Sequence, residues 1–261
     1  MKIVFATQLE EIHSSIVLRE LAKTGHEVVV ITSKTLIHKK SLFKSIQEII
    51  KKSGFTYFFM RASEGIYIKF YSFFRKLGVD RFKPHLIQKV NEVIAEEKLR
   101  HLALFNVNAP ESMEKIEDLG PDLIISCVFN QIFSKKLIEI PKYGCVNIHR
   151  SLLPEYRGVS PTFWALANNE ETTGITIHQM TEKIDVGGIL AQKEVSILKE
   201  DTVNTLSFRL MKEGARMLCD LVETVEKEKK LPQADSFSGK YYGWPTKEAV
   251  KRFRKNKRKV F

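Results

Sequence analysis

The sequence predicts an α/β protein built on a mostly parallel sheet, and three observations carry that reading. Residues 2–7 (K-I-V-F-A-T) and 26–32 (H-E-V-V-V-I-T) are apolar, β-branched runs with an amphipathic stretch between them, a strand–helix–strand opening. Residues 122–130 (D-L-I-I-S-C-V-F-N) are almost unbroken apolar sequence, as in a strand covered on both faces. Residues 145–149 (C-V-N-I-H) are a further strand, on which Asn147 and His149 share a face.

In chain order, residues 10–23 read as an amphipathic helix with Ile12, Ile16 and Leu21 near one face, and Gly25 stops it. The turn after the first strand reads A-T-Q-L-E-E rather than G-x-G-x-x-G, which argues against NAD and FAD. Residues 34–79 interrupt the α/β pattern and are rich in aromatic side chains. Arg61, Glu64 and Lys69 break the apolar run well short of the ~20 residues a membrane span needs. This stretch is expected to be an inserted helical hairpin whose apolar side packs on the sheet, meets a partner or dips into a membrane interface.

Helix is expected over 84–99, strand over 102–107 and helix over 109–119 before Pro121. A helix over 135–140 returns the chain to the strand at 145. Residues 162–167 read as helix, and 173–180 and 189–197 as strands joined by T-E-K-I-D-V-G-G. Asp201 or Thr202 caps a long helix over 203–227. The division expected is a catalytic domain over 1–230 with the insertion inside it, and a short basic extension over 231–261.

Composition fits a soluble globular chain: 261 residues, 43% hydrophobic and 28% charged. Three cysteines without metal-like spacing predict neither a disulfide framework nor a metal site, and point to the cytoplasm. The formal charge of +11 is concentrated in the tail, where residues 247–261 hold eight Lys or Arg against one Glu. Such a tail suits RNA, an acidic membrane surface or a phosphate-rich ligand, or is a solvated terminal helix.

The stretch G-C-V-N-I-H-R-S-L-L-P-E-Y-R-G (144–158) is the expected reaction centre, since ligands of open α/β sheets lie beyond the carboxyl ends of the strands. An amide beside an imidazole supplies a hydrogen-bond donor next to a proton-handling group. By residue type alone the pair also fits a solvated polar face, and Cys145 on the same face leaves a Cys–His pair open.

The motif N-I-H-R-S-L-L-P-E-Y-R-G followed by T-G-I-T-I-H-Q-M-T-E-K-I-D-V-G-G-I-L resembles the 10-formyl-tetrahydrofolate-dependent formyltransferases, over roughly 121–227. The resemblance implies a Rossmann-like sheet of the formyltransferase type and a catalytic Asn147, His149 and Asp185. It implies 10-formyl-tetrahydrofolate as co-substrate, with no metal. The folate is expected beside Phe129, Asn130, Gln131, Ile132 and Phe133 and against Thr181, Ile184 and Asp185, with Ser151, Leu152 and Leu153 shaping the junction with the acceptor.

The acceptor is less determined. A-T-Q-L-E-E lacks the Gly-Ser-Asn phosphate loop of the purine-pathway enzymes, and about thirty residues after the last long helix are too few for the barrel of the tRNA-directed enzymes. The expectation is therefore an amino sugar carried on a nucleotide or lipid, with methionyl-tRNA as the rival acceptor. A folate- or RNA-binding module on the same fold is the non-enzymatic alternative. Residues 239–245 (G-K-Y-Y-G-W-P) would either stack a base or sugar, or dock the terminal helix. Peripheral membrane contact and the oligomeric state, including a homodimer, stay open.

Overall fold

A computed structural model describes residues 1–33, 42–76 and 88–261. Alternation along the first strands sets the layering. In β1 (Lys2–Thr7), Ile3 and Phe5 enter one core while Val4 and Ala6 enter the other. After α1 (Ser14–Ala22), β2 (Glu27–Ser33) repeats the division, with Val28 and Val30 opposite Val29 and Ile31.

Residues 10–13, expected in the first helix, form a loop instead. The Glu11 carboxylate accepts from the His13 backbone N–H at 3.1 Å, a local side-chain bond that competes with helix. The insertion expected over 34–79 falls partly outside the described residues. Its described part, α2 (Leu42–Lys76), is two helical segments meeting at Gly54, whose φ of 83° breaks the helix. Tyr57 anchors the second segment, buried edge-on against Phe163 at 5.6 Å.

Then come α3 (Val90–Glu96), β3 (Arg100–Leu104), α4 (Pro110–Glu117) and β4 (Leu123–Cys127). β3 lies two residues before its expected start, and Asn106 caps the turn beyond it by accepting from the Asn108 N–H at 3.1 Å. β4 stops at Cys127 because Val128 takes a φ of 53°. A short α5 (Lys135–Ile138) leads to β5 (Cys145–His149), then β6 (Arg157–Gly158) and α6 (Pro161–Ala167).

The remaining elements are β7 (Thr172–Gln179), β8 (Ile189–Ser196), α7 (Val203–Glu228), β9 (Tyr241–Tyr242) and α8 (Lys247–Lys255). Thr202 is the cap of α7, accepting from the Thr205 N–H at 3.1 Å. Asp201 instead binds Arg209.

The main sheet runs β3-β2-β1-β4-β5-β7-β8. β3 through β5 are parallel neighbours, whereas β7 and β8 add antiparallel to β5. One face carries α1, α6, α7 and α8 on the larger core, and the other carries α4 and α5. The 231–261 segment is built into this framework. β9 pairs with β6, and the fully buried Phe253 stacks on Phe163 at 4.6 Å. Among the described residues no helix is long and apolar enough to cross a membrane.

Candidate active site

Strand order reverses between β1 and β4, so the loops leaving their carboxyl ends diverge and open a crevice. A cavity of about 670 Å³ occupies it, within the size range of small-molecule sites. The β1 loop lines it with Gln8, Glu11 and His13, and the β4 loop with residues 128–133. Gln8 ties the two loops together, its Nε2 donating to the Val128 carbonyl at 3.2 Å.

β5 ends in this cavity. Its odd positions lie on the α4–α5 face, so Cys145 packs into that core while Asn147 and His149 reach the crevice. Asp185 arrives from the β7–β8 loop, and the three side chains expected from the sequence converge. Asn147 Nδ2 lies 3.4 Å from Asp185 Oδ1, and His149 Nδ1 lies 3.6 Å from Asp185 Oδ2.

Three further groups hold that arrangement. Gly158 donates its backbone N–H to Asp185 Oδ2 at 2.8 Å. Arg157 clamps the same loop, donating from Nη2 to the Ile184 carbonyl at 2.8 Å and from Nη1 to the Gly239 carbonyl at 2.7 Å. At Gly187 a Cβ would come within 1.9 Å of the Gln179 carbonyl oxygen, so only glycine lets the loop cross β7.

Sequence reasoning missed His178, although it stands in the quoted T-G-I-T-I-H-Q-M. Antiparallel pairing sets it directly opposite Asn147. Its Nδ1 donates to the Gln179 carbonyl at 2.8 Å, which leaves Nε2 to accept from Asn147 Nδ2 at 3.1 Å. Nε2 also lies 3.4 Å from Asp185 Oδ1.

The protonation pattern follows from these contacts. His149 Nε2 donates to the Tyr156 carbonyl at 2.9 Å, so in the neutral ring Nδ1 carries the lone pair. Burial lowers the His149 pKa below its usual value, and the Asp185 charge offsets only part of that. Burial pulls the Asp185 carboxyl upward. His149 first, with the Gly158 N–H, outweighs it and holds the carboxyl well below the ordinary carboxylate range. A neutral imidazole beside a permanent carboxylate is the resting state at neutral pH. Cys145 takes no part: burial raises its thiol above the usual range, and it faces the Ile138 carbonyl.

The expected folate residues divide. Phe129, Asn130, Gln131, Ile132, Phe133, Thr181 and Ile184 all border the cavity. Gln131 is already engaged as a brace, with Nε2 on the Ser33 hydroxyl at 2.7 Å and Oε1 accepting the Val107 N–H at 2.9 Å. Phe133 is mostly core. Ser151, Leu152 and Leu153, expected at the junction with the acceptor, are not among the residues that line the cavity. They fold back on β7, where the Thr176 hydroxyl donates to the Ser151 carbonyl at 2.7 Å and accepts the Leu153 N–H at 3.2 Å. In the 239–245 segment, Tyr242 docks against Tyr156 and Trp164, while Tyr241 and Trp244 border the cavity.

Residues 79–222 match the family model described as "Formyl transferase". Methionyl-tRNA formyltransferase of Bacillus licheniformis is 42% identical over 143 residues, covering 55% of this chain and 43% of that one. The Bacillus subtilis protein of the same name is 43% identical over 136 residues, covering 51% and 43%. The chain thus spans less than half the length of these curated relatives.

Two solved structures share the fold. Phosphoribosylglycinamide formyltransferase from Bacillus halodurans has a TM-score of 0.58 at 20% identity, covering 87% of this chain and 97% of that one. A sugar N-formyltransferase from Shewanella sp FDAARGOS_354 also has a TM-score of 0.58, at 21% identity, covering 94% and 77%. With Asn147, His149 and Asp185 all inside the matched span and gathered in one crevice, the chain belongs to the formyl transferase family.

Proposed function

We propose that the protein transfers a formyl group from 10-formyl-tetrahydrofolate to a primary amine. The observation that carries this reading is the meeting of Asn147, His149 and Asp185 at the mouth of a partly apolar crevice. The crevice suits a pterin: Val128, Phe129, Ile132 and Met180 offer apolar walls, and the Thr181–Asp185 turn presents backbone groups beside them.

The folate supplies the activated formyl carbon, and the chain's residues serve the amine and the oxygen. Asn147 keeps one amide N–H on His178 and offers the other, now 3.4 Å from Asp185, to the formyl oxygen as negative charge develops there. As the new C–N bond forms, His149 Nδ1 takes the amine's proton, and the imidazolium is stabilised by Asp185 at 3.6 Å. The same proton then passes to the departing folate nitrogen as the old C–N bond breaks, so charge and protons balance.

The amine of a methionyl-tRNA is the acceptor favoured by similarity to the curated relatives across the catalytic region. An amino sugar is the second reading, supported by Tyr241 and Trp244 at the cavity, planar groups suited to a sugar ring or its base. Incubation with 10-formyl-tetrahydrofolate and either methionyl-tRNA or a panel of nucleotide-linked amino sugars tests both, with acceptor mass as the readout. Formylation of one class assigns the acceptor. Absence of any formylated amine, with no binding of the folate, overturns the proposal.

A further inference from the structure

The second segment of α2 has two opposite faces. At about 3.6 residues per turn, Tyr57, Arg61, Glu64 and Ile68 lie along one side, and these residues wall the cavity. Phe55, Phe59 and Ile66 fall nearly opposite and are 63%, 64% and 70% exposed. A row of this kind on a helix that is not hidden in a core marks an interaction surface.

What lies beside it narrows the partner. α8 packs against α2 on the flank of the phenylalanine row. Lys247 Cγ sits 3.5 Å from where a Cβ on Gly54 would lie, and Lys251 and Arg254 share a small depression with Ser53 and Thr56. Further along, the Tyr67 and Phe261 rings meet at a tilt of 45° with centroids 4.2 Å apart, fixing the tail alongside the helix. Lys247, Lys251, Arg254 and Lys255 are all exposed. An apolar strip bordered by a cationic helix is complementary to an anionic lipid surface, with aromatic rings at the acyl boundary and ammonium and guanidinium groups among the phosphates. A nucleic acid would satisfy the cations but leave the aliphatic part of the strip in water.

We propose that the α2 face bearing Phe55, Phe59 and Ile66, together with the basic side chains of α8, docks the protein on anionic bilayers. The cavity wall formed by the opposite face of α2 is thereby held close to the membrane. This inference is independent of formyl transfer, because vesicle binding requires neither folate nor acceptor.

Co-sedimentation with phosphatidylcholine vesicles containing about 30% phosphatidylglycerol, against phosphatidylcholine alone, is the test. The protein should bind the anionic vesicles about tenfold or more tightly than the neutral ones. The triple variant Phe55→Ser, Phe59→Ser and Ile66→Ser should lose about tenfold or more of that binding with its thermal transition retained. Lys251→Glu with Arg254→Glu, on another helix, should remove the dependence on lipid charge, and it keeps the test decisive if the serine variant is less stable.

No binding to anionic vesicles, or equal binding by both variants, overturns the proposal. So does a wild-type dimer that the serine variant dissociates without any vesicle binding, since a second copy then covers the face. Binding to tRNA without binding to vesicles overturns it as well.

Discussion

Asp185→Asn isolates the charge at the centre of the site with little change of shape. The amide oxygen still accepts the Gly158 N–H, now bonded at 2.8 Å, so the β7–β8 loop keeps its anchor. What disappears is the negative charge 3.6 Å from His149 Nδ1. Two unit charges at that separation interact by about 4.6 kcal/mol at an effective dielectric of about 20, which bounds the rate loss at somewhat over a thousandfold. Steady-state formyl transfer to whichever acceptor the formylation assay assigns should fall by about a thousandfold in kcat, with folate affinity within a few-fold of wild type.

The pH profile gives an independent sign. With His149 as the proposed base the neutral imidazole is the active form, so activity should fall as pH drops through a His149 pKa already held below its usual value. Asp185 is the group that raises that pKa, so in the variant the acid limb moves to lower pH. A kcat within tenfold of wild type, or an acid limb that stays or rises, refutes the assignment of His149 as base and Asp185 as its counter-charge.

Other expectations follow from single contacts. Burial pulls the Glu11 carboxyl upward but the His13 ring and N–H dominate, so it drops from an ordinary value of about 4.5 to about 2. Glu11→Gln should therefore lower stability by roughly 3 kcal/mol above pH 4.5, a difference that vanishes as pH falls toward 2. Urea melts across that range measure it, and a gap independent of pH contradicts the assignment. Gly187→Ala forces a methyl onto the Gln179 carbonyl, and should cost roughly 2 kcal/mol or more in a chemical melt and displace Asp185. Equal stability and equal turnover would show that the loop does not cross β7 there. Phe253→Ala removes a fully buried ring stacked on Phe163 and should cost about 3–5 kcal/mol, so a loss under about 1 kcal/mol would show that 231–261 is not part of the core. Cys127 and Cys145 are buried with thiols raised by burial, so native thiol titration should find reaction at Cys219 alone, slower than at a free cysteine because burial and the nearby Glu20, Asp220 and Glu223 raise its thiol too.

The parts legible in the sequence are those fixed by local pattern. Strands β1, β2, β4 and β5 follow from apolar runs and their alternation. Asn147 and His149 share a face because strand geometry leaves no other arrangement. Asp185 needed the resemblance, since D-V-G-G by itself reads as a turn. What stayed hidden depends on contacts between distant segments. His178 acquires its position only from the antiparallel register that sets it against Asn147. Arg157 matters because two carbonyls, one at Ile184 and one at Gly239, are brought within its reach. Ser151 to Leu153 sit next to the catalytic strand in sequence, yet one threonine hydroxyl on β7 turns them away from the cavity.

The same distinction explains how α2 relates to the site. Its aromatic sequence is equally compatible with packing on the parent domain and with exposure, because aromatic content alone does not say which side of a helix meets protein. Tyr57 settles it: once that ring is buried against Phe163, helical periodicity puts Arg61, Glu64 and Ile68 on the cavity and turns Phe59 and Ile66 outward. One buried anchor therefore determines both the far wall of the reaction crevice and the exposed apolar strip. Tyr57→Ala should perturb the two together, raising the acceptor KM and weakening vesicle binding in one variant. Replacement of the outward residues should affect only the second. A Tyr57→Ala protein that changes one property without the other would show that the two faces are not coupled through this helix.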